Sequence, residues 1–210
     1  MQLSDLRDQI GDWLQLSTAR LSNDKRTQLV NMAQKKIVDD FDLHFSEDND
    51  DLVTVADQDA YDLPDRFARP STRSPLLYVL NGCERDVTSK SRADFRRAYP
   101  AGSDAAAPRH FTIYGTQLYI GPTPDAVYTL SFDFHRYLED LVNDEDENEL
   151  TANAWEAVLF RALSLSSLYT LEDARKPTWD AMFNEAIASL TVTEGRRRTN
   201  GRRPAMQEPG

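Results

Sequence analysis

Two spacings of apolar residues run through the chain. Leu3, Leu6, Ile10 and Leu14, then Leu29, Ala33, Ile37 and Phe41, recur every three or four residues, the period of an amphipathic helix. Trp155, Val158, Leu159, Ala162, Leu165 and Tyr169, then Trp179, Met182, Phe183, Ala186, Ile187 and Leu190, repeat that period near the other end. Between these pairs the period falls to two. Phe111 and Ile113, Leu118 and Ile120, and Tyr128, Leu130, Phe132 and Phe134 alternate with polar or smaller neighbours. Gly115 and Gly121-Pro122 separate the three runs. Alternation broken by Gly and Pro predicts a three-stranded antiparallel meander with one apolar face. The chain thus reads as two helices, a β-rich block and two more helices.

Punctuation sharpens this outline. Asn23 or Asp24 suits the N-cap of the second helix, and Thr151 or Asn153 that of the third. Pro177 fits the first turn of the fourth helix and Gly195 its stop. Leu76–Leu80 is an apolar run followed by Asn81-Gly82, a type I′ hairpin signal. Ser91 and Asp94 form a capping box, with Asp in place of Glu, for a short helix over 91–99. The acid-rich runs 47–51 and 144–149 read as solvated connections. The predicted class is α+β: a four-helix bundle formed by N- and C-terminal helix pairs, an inserted antiparallel β domain, and an extended C-terminal arm. The predicted boundaries are 1–50 and 150–194 for the bundle, 51–149 for the insert and 195–210 for the arm.

The charge is divided unevenly. The 210 residues carry a net charge of −11, yet Arg196, Arg197, Arg198, Arg202 and Arg203 against Glu208 make residues 195–210 net +4, leaving −15 for the remainder. An acidic body is a poor grip for a phosphate backbone, so any nucleic-acid contact falls to the arm. Fixing the backbone of an arm residue costs about 1–2 kcal/mol, and an exposed ion pair returns at most about 1 kcal/mol. Five arginines alone therefore cannot order the arm. A groove or sheet edge of a partner can, by adding backbone bonds and bidentate arginine contacts.

Catalytic and metal chemistry find little support. In the calcium-loop register Asp144, Asp146 and Asn148 occupy ligand positions, but Glu149 stands where the turn needs Gly and Trp155 where the ion needs a bidentate Glu. His44, His110 and His135 have no partner residues at helical spacing, and with Cys83 as the single cysteine a zinc site is not expected. No nucleophile elbow, phosphate-cradling Gly loop or zinc-protease signature occurs. A chance pair of carboxylates leaves a glycosidase-like hydrolase as a third, unsupported reading. Lys90, Arg92, Arg96 and Arg97 interleave with Phe95 and Tyr99, a pattern seen in single-strand binders; a short helix showing its polar face explains it more simply. No cofactor and no membrane anchor is expected. An acidic N-terminus and one cysteine fit a cytoplasmic protein.

Taken in order, these segments resemble a tailed-bacteriophage head-to-tail adaptor (connector) protein. The resemblance rests on LSDLRDQI from Leu3, LVNMAQKKIVDDFD from Leu29, YDLPDRF from Tyr61 and FTIYGTQLYIGPTP from Phe111. It continues through YTLSFDFHRY from Tyr128, WEAVLFRALSLSSLYTLED from Trp155 and WDAMFNEAIASL from Trp179. Pro122-Thr123-Pro124 supplies the turn that leads into a strand ending at Tyr137. The long Ala-rich loop before the hairpin departs from that pattern. The resemblance implies a helical bundle plus a β-sandwich-like domain, in a structural virion protein of the phage neck and not an enzyme. It implies a homo-oligomeric ring of twelve copies docked on the portal protein. The arm, with Arg196, Arg197, Arg198, Arg202 and Arg203, would reach the portal, and the other face would receive a tail, nozzle or tail-tube protein. DNA would pass the channel without specific binding. Assembly would take place in the host cytoplasm. The alternative is a nucleic-acid-associated protein that binds DNA through the arm.

Overall fold

A computed structural model of the full chain describes residues 1–72, 75–170 and 174–198. The chain divides into two compact units, Met1–Phe45 with Leu138–Gly210, and Ser46–Tyr137.

The first unit holds α1 (Leu3–Leu14) and α2 (Asn23–Asp40), with two long helices, Glu149–Thr170 and Lys176–Arg198, at its other end. Leu3, Leu6, Ile10 and Leu14 are all buried, as the stripe predicts. Ser22, rather than Asn23 or Asp24, caps α2, its Oγ accepting from the Lys25 N–H. The Glu149–Thr170 helix is capped by Asn148, whose Oδ1 accepts from the N–H groups of Leu150 and Thr151 at 3.1 Å. Its backbone leaves helical geometry at Ala154 (φ −143°, ψ 36°).

The α+β class holds, but the four-helix bundle formed by N- and C-terminal pairs does not. Among the described residues there are five α-helices and two sheets. The Glu149–Thr170 helix is a hub, against which α1, α2 and the Lys176–Arg198 helix each pack. Leu150, Ala154, Ala157, Val158, Leu159, Ala162 and Leu163 bury several sides of it. A helix apolar around much of its circumference is a central element and not one of four equal members.

The second unit is two sheets around one core. Sheet A contains β1 (Glu47–Val53), β3 (Phe67–Pro70), β4 (Leu76–Leu80), β5 (Cys83–Asp86) and β9 (Thr129–Arg136). Sheet B runs in the order β2 (Ala60–Asp62), β8 (Gln117–Gly121), β7 (His110–Tyr114), β6 (Thr88–Ser89). The predicted three-stranded meander is therefore a hairpin plus a crossing. β7 and β8 pair antiparallel, but β9 leaves them to become the centre of sheet A, flanked by β1 on one edge and by β3 and β4 on the other. Periodicity gave the faces, and it cannot say in which layer a strand lies. Leu130, Phe132 and Phe134 from sheet A meet Phe111, Leu118 and Ile120 from sheet B. The domain is also not wholly antiparallel, since β6 runs parallel to β7. The Asn81-Gly82 turn is as predicted, with φ 53° and 77° at the two positions, joining β4 to β5.

Between β6 and β7 lies α3 (Arg92–Ala98), and in chain order the two long helices are α4 (Glu149–Thr170) and α5 (Lys176–Arg198). Ser91 Oγ accepts from the Asp94 N–H at 3.2 Å and donates to Asp94 Oδ2 at 2.7 Å, a cap closed between side chains. Gly121 makes room for this helix. A Cβ there would meet the Tyr99 ring at 2.5 Å and the Phe95 ring at 2.9 Å.

Candidate docking surfaces

The arginine segment begins on a helix. α5 buries Trp179, Phe183 and Ile187, one row at i, i+4, i+8. Past Leu190 the described side chains Thr191, Val192 and Thr193 are exposed, yet the helix continues. It runs through Gly195, which is not the stop the sequence suggested, to Arg198. Helix propensity costs only about 1 kcal/mol for one Gly against Ala, so a long helix passes it. Arg196, Arg197 and Arg198 thus lie in the last turn of α5. Arg202 and Arg203, and the predicted partner-dependent ordering of the arm, lie outside the described residues.

The two acid runs are structured, and differently. Residues 47–53, expected to be a solvated connection as far as Asp51, form β1, exposed along most of its length. Its register opposite β9 is unbroken from Glu47↔His135 to Val53↔Thr129. Asn49 Nδ2 donates to Ser131 Oγ at 2.7 Å and to Asp133 Oδ1 at 2.5 Å, and Arg136 pairs with Asp48 at 3.4 Å. β1 is also the terminal strand of sheet A. The N–H groups of Asn49 and Asp51 donate to Oδ1 of the preceding Asp48 and Asp50, each at 3.0 Å. Aspartates thus close an open strand edge.

The run 143–149 instead caps a helix. The Gln2 side chain makes no cap bond for α1. The carbonyls of Asp146 and Asp144 accept from the Leu3 and Ser4 N–H groups, each at 3.0 Å, and Asp144 pairs with Arg7. Placing acids and carbonyls at a helix N-terminus satisfies its orphan donors and opposes its dipole. Asp146 folds the loop by accepting from the Val142 and Asn143 N–H groups at 2.7 and 2.8 Å. The Asn143 and Val142 amides, together with the Asn143 side chain, hold its carboxyl below the ordinary range. A polar relay fastens the loop to α2. Asn31 Nδ2 donates to the Leu141 carbonyl at 2.9 Å, and Asn31 Oδ1 accepts from the Leu141 N–H at 3.0 Å. Gln34 links Asn31 to Asn148.

At the far end of α1 a buried arginine does the matching work. Arg26 is 4% exposed and donates to the carbonyls of Leu21, Arg7 and Leu16 at 3.1, 3.0 and 2.7 Å. Gly11 exists for it, since a Cβ there would lie 2.4 Å from the guanidinium. The sequence signal was a glycine inside a helical stripe, a position where only a close approach repays the lost propensity.

The basic and aromatic residues of 90–99 divide by role. Arg92 lies over the rings of Tyr119 and Tyr114, 4.1 and 4.9 Å from their centroids. Phe95 is buried, and Tyr99 and His110 share a hydrogen bond. Burial, then the charges of Lys90 and Arg109, push the His110 pKa down. These side chains fasten α3 to sheet B. Arg96 and Arg97 face outward, Arg97 beside Asp94 at 3.0 Å.

His135 is buried against Ser46 Oγ at 2.9 Å. Among the described residues no group of three or more His, Cys, Asp or Glu is placed to hold a metal ion, and no helix is long and apolar enough to cross a membrane.

The protein-family model described as SU10 adaptor protein matches residues 1–206, so the chain belongs to the SU10 adaptor protein family. That agrees with the resemblance to phage head-to-tail adaptors. No curated protein matches the chain significantly.

Proposed function

We propose that this protein is a ring-forming component of the phage neck that docks on the portal protein through residues 195–210 and offers its opposite face to a tail or nozzle protein. The observation that carries this reading is the continuation of α5 past the exposed Thr191, Val192 and Thr193 into Arg196–Arg198. At about 1.5 Å per residue, the helix reaches Arg198 about 12 Å beyond Leu190. A helix extended in this way suits delivery of charge to a neighbour rather than stabilisation of its own unit. Twelve copies around the channel would present an acidic body to passing DNA, which repels the phosphate backbone and lets it slide. The protein acts as a scaffold, without chemistry, in the virion neck after assembly in the host cytoplasm.

The test is a chain ending at Glu194, compared with the full chain for binding to the portal. Docking is lost while the circular dichroism of the body is kept. Docking retained by the truncation contradicts the reading. Salt-sensitive binding of duplex DNA by the full chain, lost in the truncation and unaccompanied by portal binding, moves the segment's role to nucleic acid.

A further inference from the structure

We infer that the β1 edge of one copy receives the outer face of α3 from a second copy, and that this is the lateral contact of the ring. The inference rests on the ring reading above and names the surfaces that make it.

Both surfaces lie in the unit Ser46–Tyr137. On the acidic side, β1 is the terminal strand of its sheet and exposes Asp48, Asp50 and Asp51. An open edge ordinarily invites another strand. Here the outward N–H groups of Asn49 and Asp51 are already taken by Asp48 and Asp50. Strand addition would have to break those bonds. Each of these carboxylates uses Oδ1 for the edge, and the Oδ2 of Asp50 remains available for a side-chain donor. The edge is therefore built to be read by cationic side chains and not by backbone.

On the basic side, Arg92, Phe95 and Tyr99 turn inward to sheet B, which leaves Ala93, Arg96 and Arg97 on the outer face at the helical spacing i, i+3, i+4. Arg96 and Arg97 are exposed there within a body that is otherwise strongly acidic. An arginine fork matches a carboxylate in geometry as well as charge. The acidic edge and the basic helix are unlike surfaces of one unit, so their pairing between copies is heterologous. Such contacts propagate from copy to copy and close as a ring when the rotation allows. Exposed ion pairs are individually weak, so the contact is salt-sensitive and strengthens when copies are gathered on a common platform.

The experiment traps the contact in the full-length chain carrying Cys83→Ser. One preparation bears Asp50→Cys and another Arg96→Cys, both at exposed positions, and the two are mixed under mild oxidation. The expected result is a mixed disulfide dimer formed about tenfold faster than either preparation forms a dimer with itself, with the advantage erased near 1 M salt, where the screening length is about 3 Å. Adding Arg97→Glu to the second preparation removes the advantage, and adding Asp51→Arg to the first restores it. Equal rates for mixed and self dimers overturn the inference. So does a mixed dimer indifferent to salt and to both reversals. Trapping that survives Arg97→Glu but vanishes in a chain ending at Glu194 assigns the acidic edge to the C-terminal segment instead, which also overturns it. Portal docking is measured separately, so a chain that docks without trapping loses this contact while keeping the adaptor reading.

Discussion

Residues 47–53 and 143–149 have nearly the same composition and opposite structures. Glu47–Asp51 and 143–149 consist wholly of Asp, Glu and Asn, and as isolated peptides both would be solvated and self-repelling. One becomes a strand because β9 offers it a ladder over seven paired positions. The other becomes a helix cap because α1 begins without a side-chain cap and needs carbonyl partners for Leu3 and Ser4. The acids do not choose either structure. They tolerate it, since the side chains remain in water while the backbone is paired elsewhere. In each case the charge then gains a second use, as edge protection in β1 and as dipole compensation at α1.

The comparison breaks hardest at β9. Phe132 is 2% exposed and packs against Phe67, Phe111 and Phe134. Phe132→Ala destabilises the unit Ser46–Tyr137 by about 3–5 kcal/mol. Amide exchange then accelerates throughout Glu47–Val53 and stays unchanged in 143–149. Equal acceleration in both runs would show that they do not depend on separate partners.

A smaller effect is expected at the opposite end of α1. Arg26→Met leaves three carbonyls without their donor and costs about 2–3 kcal/mol, read as a lower denaturation midpoint. Faster exchange is expected over the C-terminal half of α1, with the capped first turn less affected. Uniform exchange along α1 would deny the acidic loop an independent hold on the helix.

Acid separates the runs further. The Asp146 carboxyl titrates below its ordinary range because backbone amides donate to its ionised form. Its contribution is full above the unfolded value near pH ~3.9 and is lost as pH falls through the lower folded value. Asp180 shifts in the same direction: burial raises its pKa, but bonds from Lys176 and Ser164 and the charges of Lys176 and Arg161 outweigh it. Asp146→Asn therefore lowers the melting temperature near neutral pH, and the difference from wild type shrinks below that window. A difference that grows on acidification runs against the assigned sign.

The smallest change in stability should come from Asp48→Ala with Asp50→Ala. It frees the outward N–H groups of Asn49 and Asp51. The melting temperature moves little, while light scattering at high concentration rises through edge pairing. Unchanged scattering would remove the protective role.

What the sequence revealed follows from the same physics. The stripes of α1 and α2, the Asn81-Gly82 turn and the Ser91 cap were legible because each is a local rule: a period, a turn type, a side chain within reach of its own backbone. β1 was hidden because nothing in Glu47–Asp51 favours a strand; its stability comes from β9, some eighty residues away. The layer change between β8 and β9 was hidden for a related reason, since alternation encodes faces and not sheets. The wide apolar surface of α4 is visible in the sequence, but its width alone does not say which helices pack against it. Among the candidate docking residues, the arginine segment could be found from charge alone. Arg26, Asn31 and the split of α3 into inward Arg92 and outward Arg96 and Arg97 needed the tertiary neighbours.

The most direct measurement is an electron-microscopy reconstruction of an assembled particle neck containing this chain. The account predicts a ring of copies against the portal, residues 195–210 of each copy seated on portal surface, and β1 of each copy facing α3 of the next. A neck in which the chain is absent, or in which residues 195–210 touch no portal subunit, would contradict it.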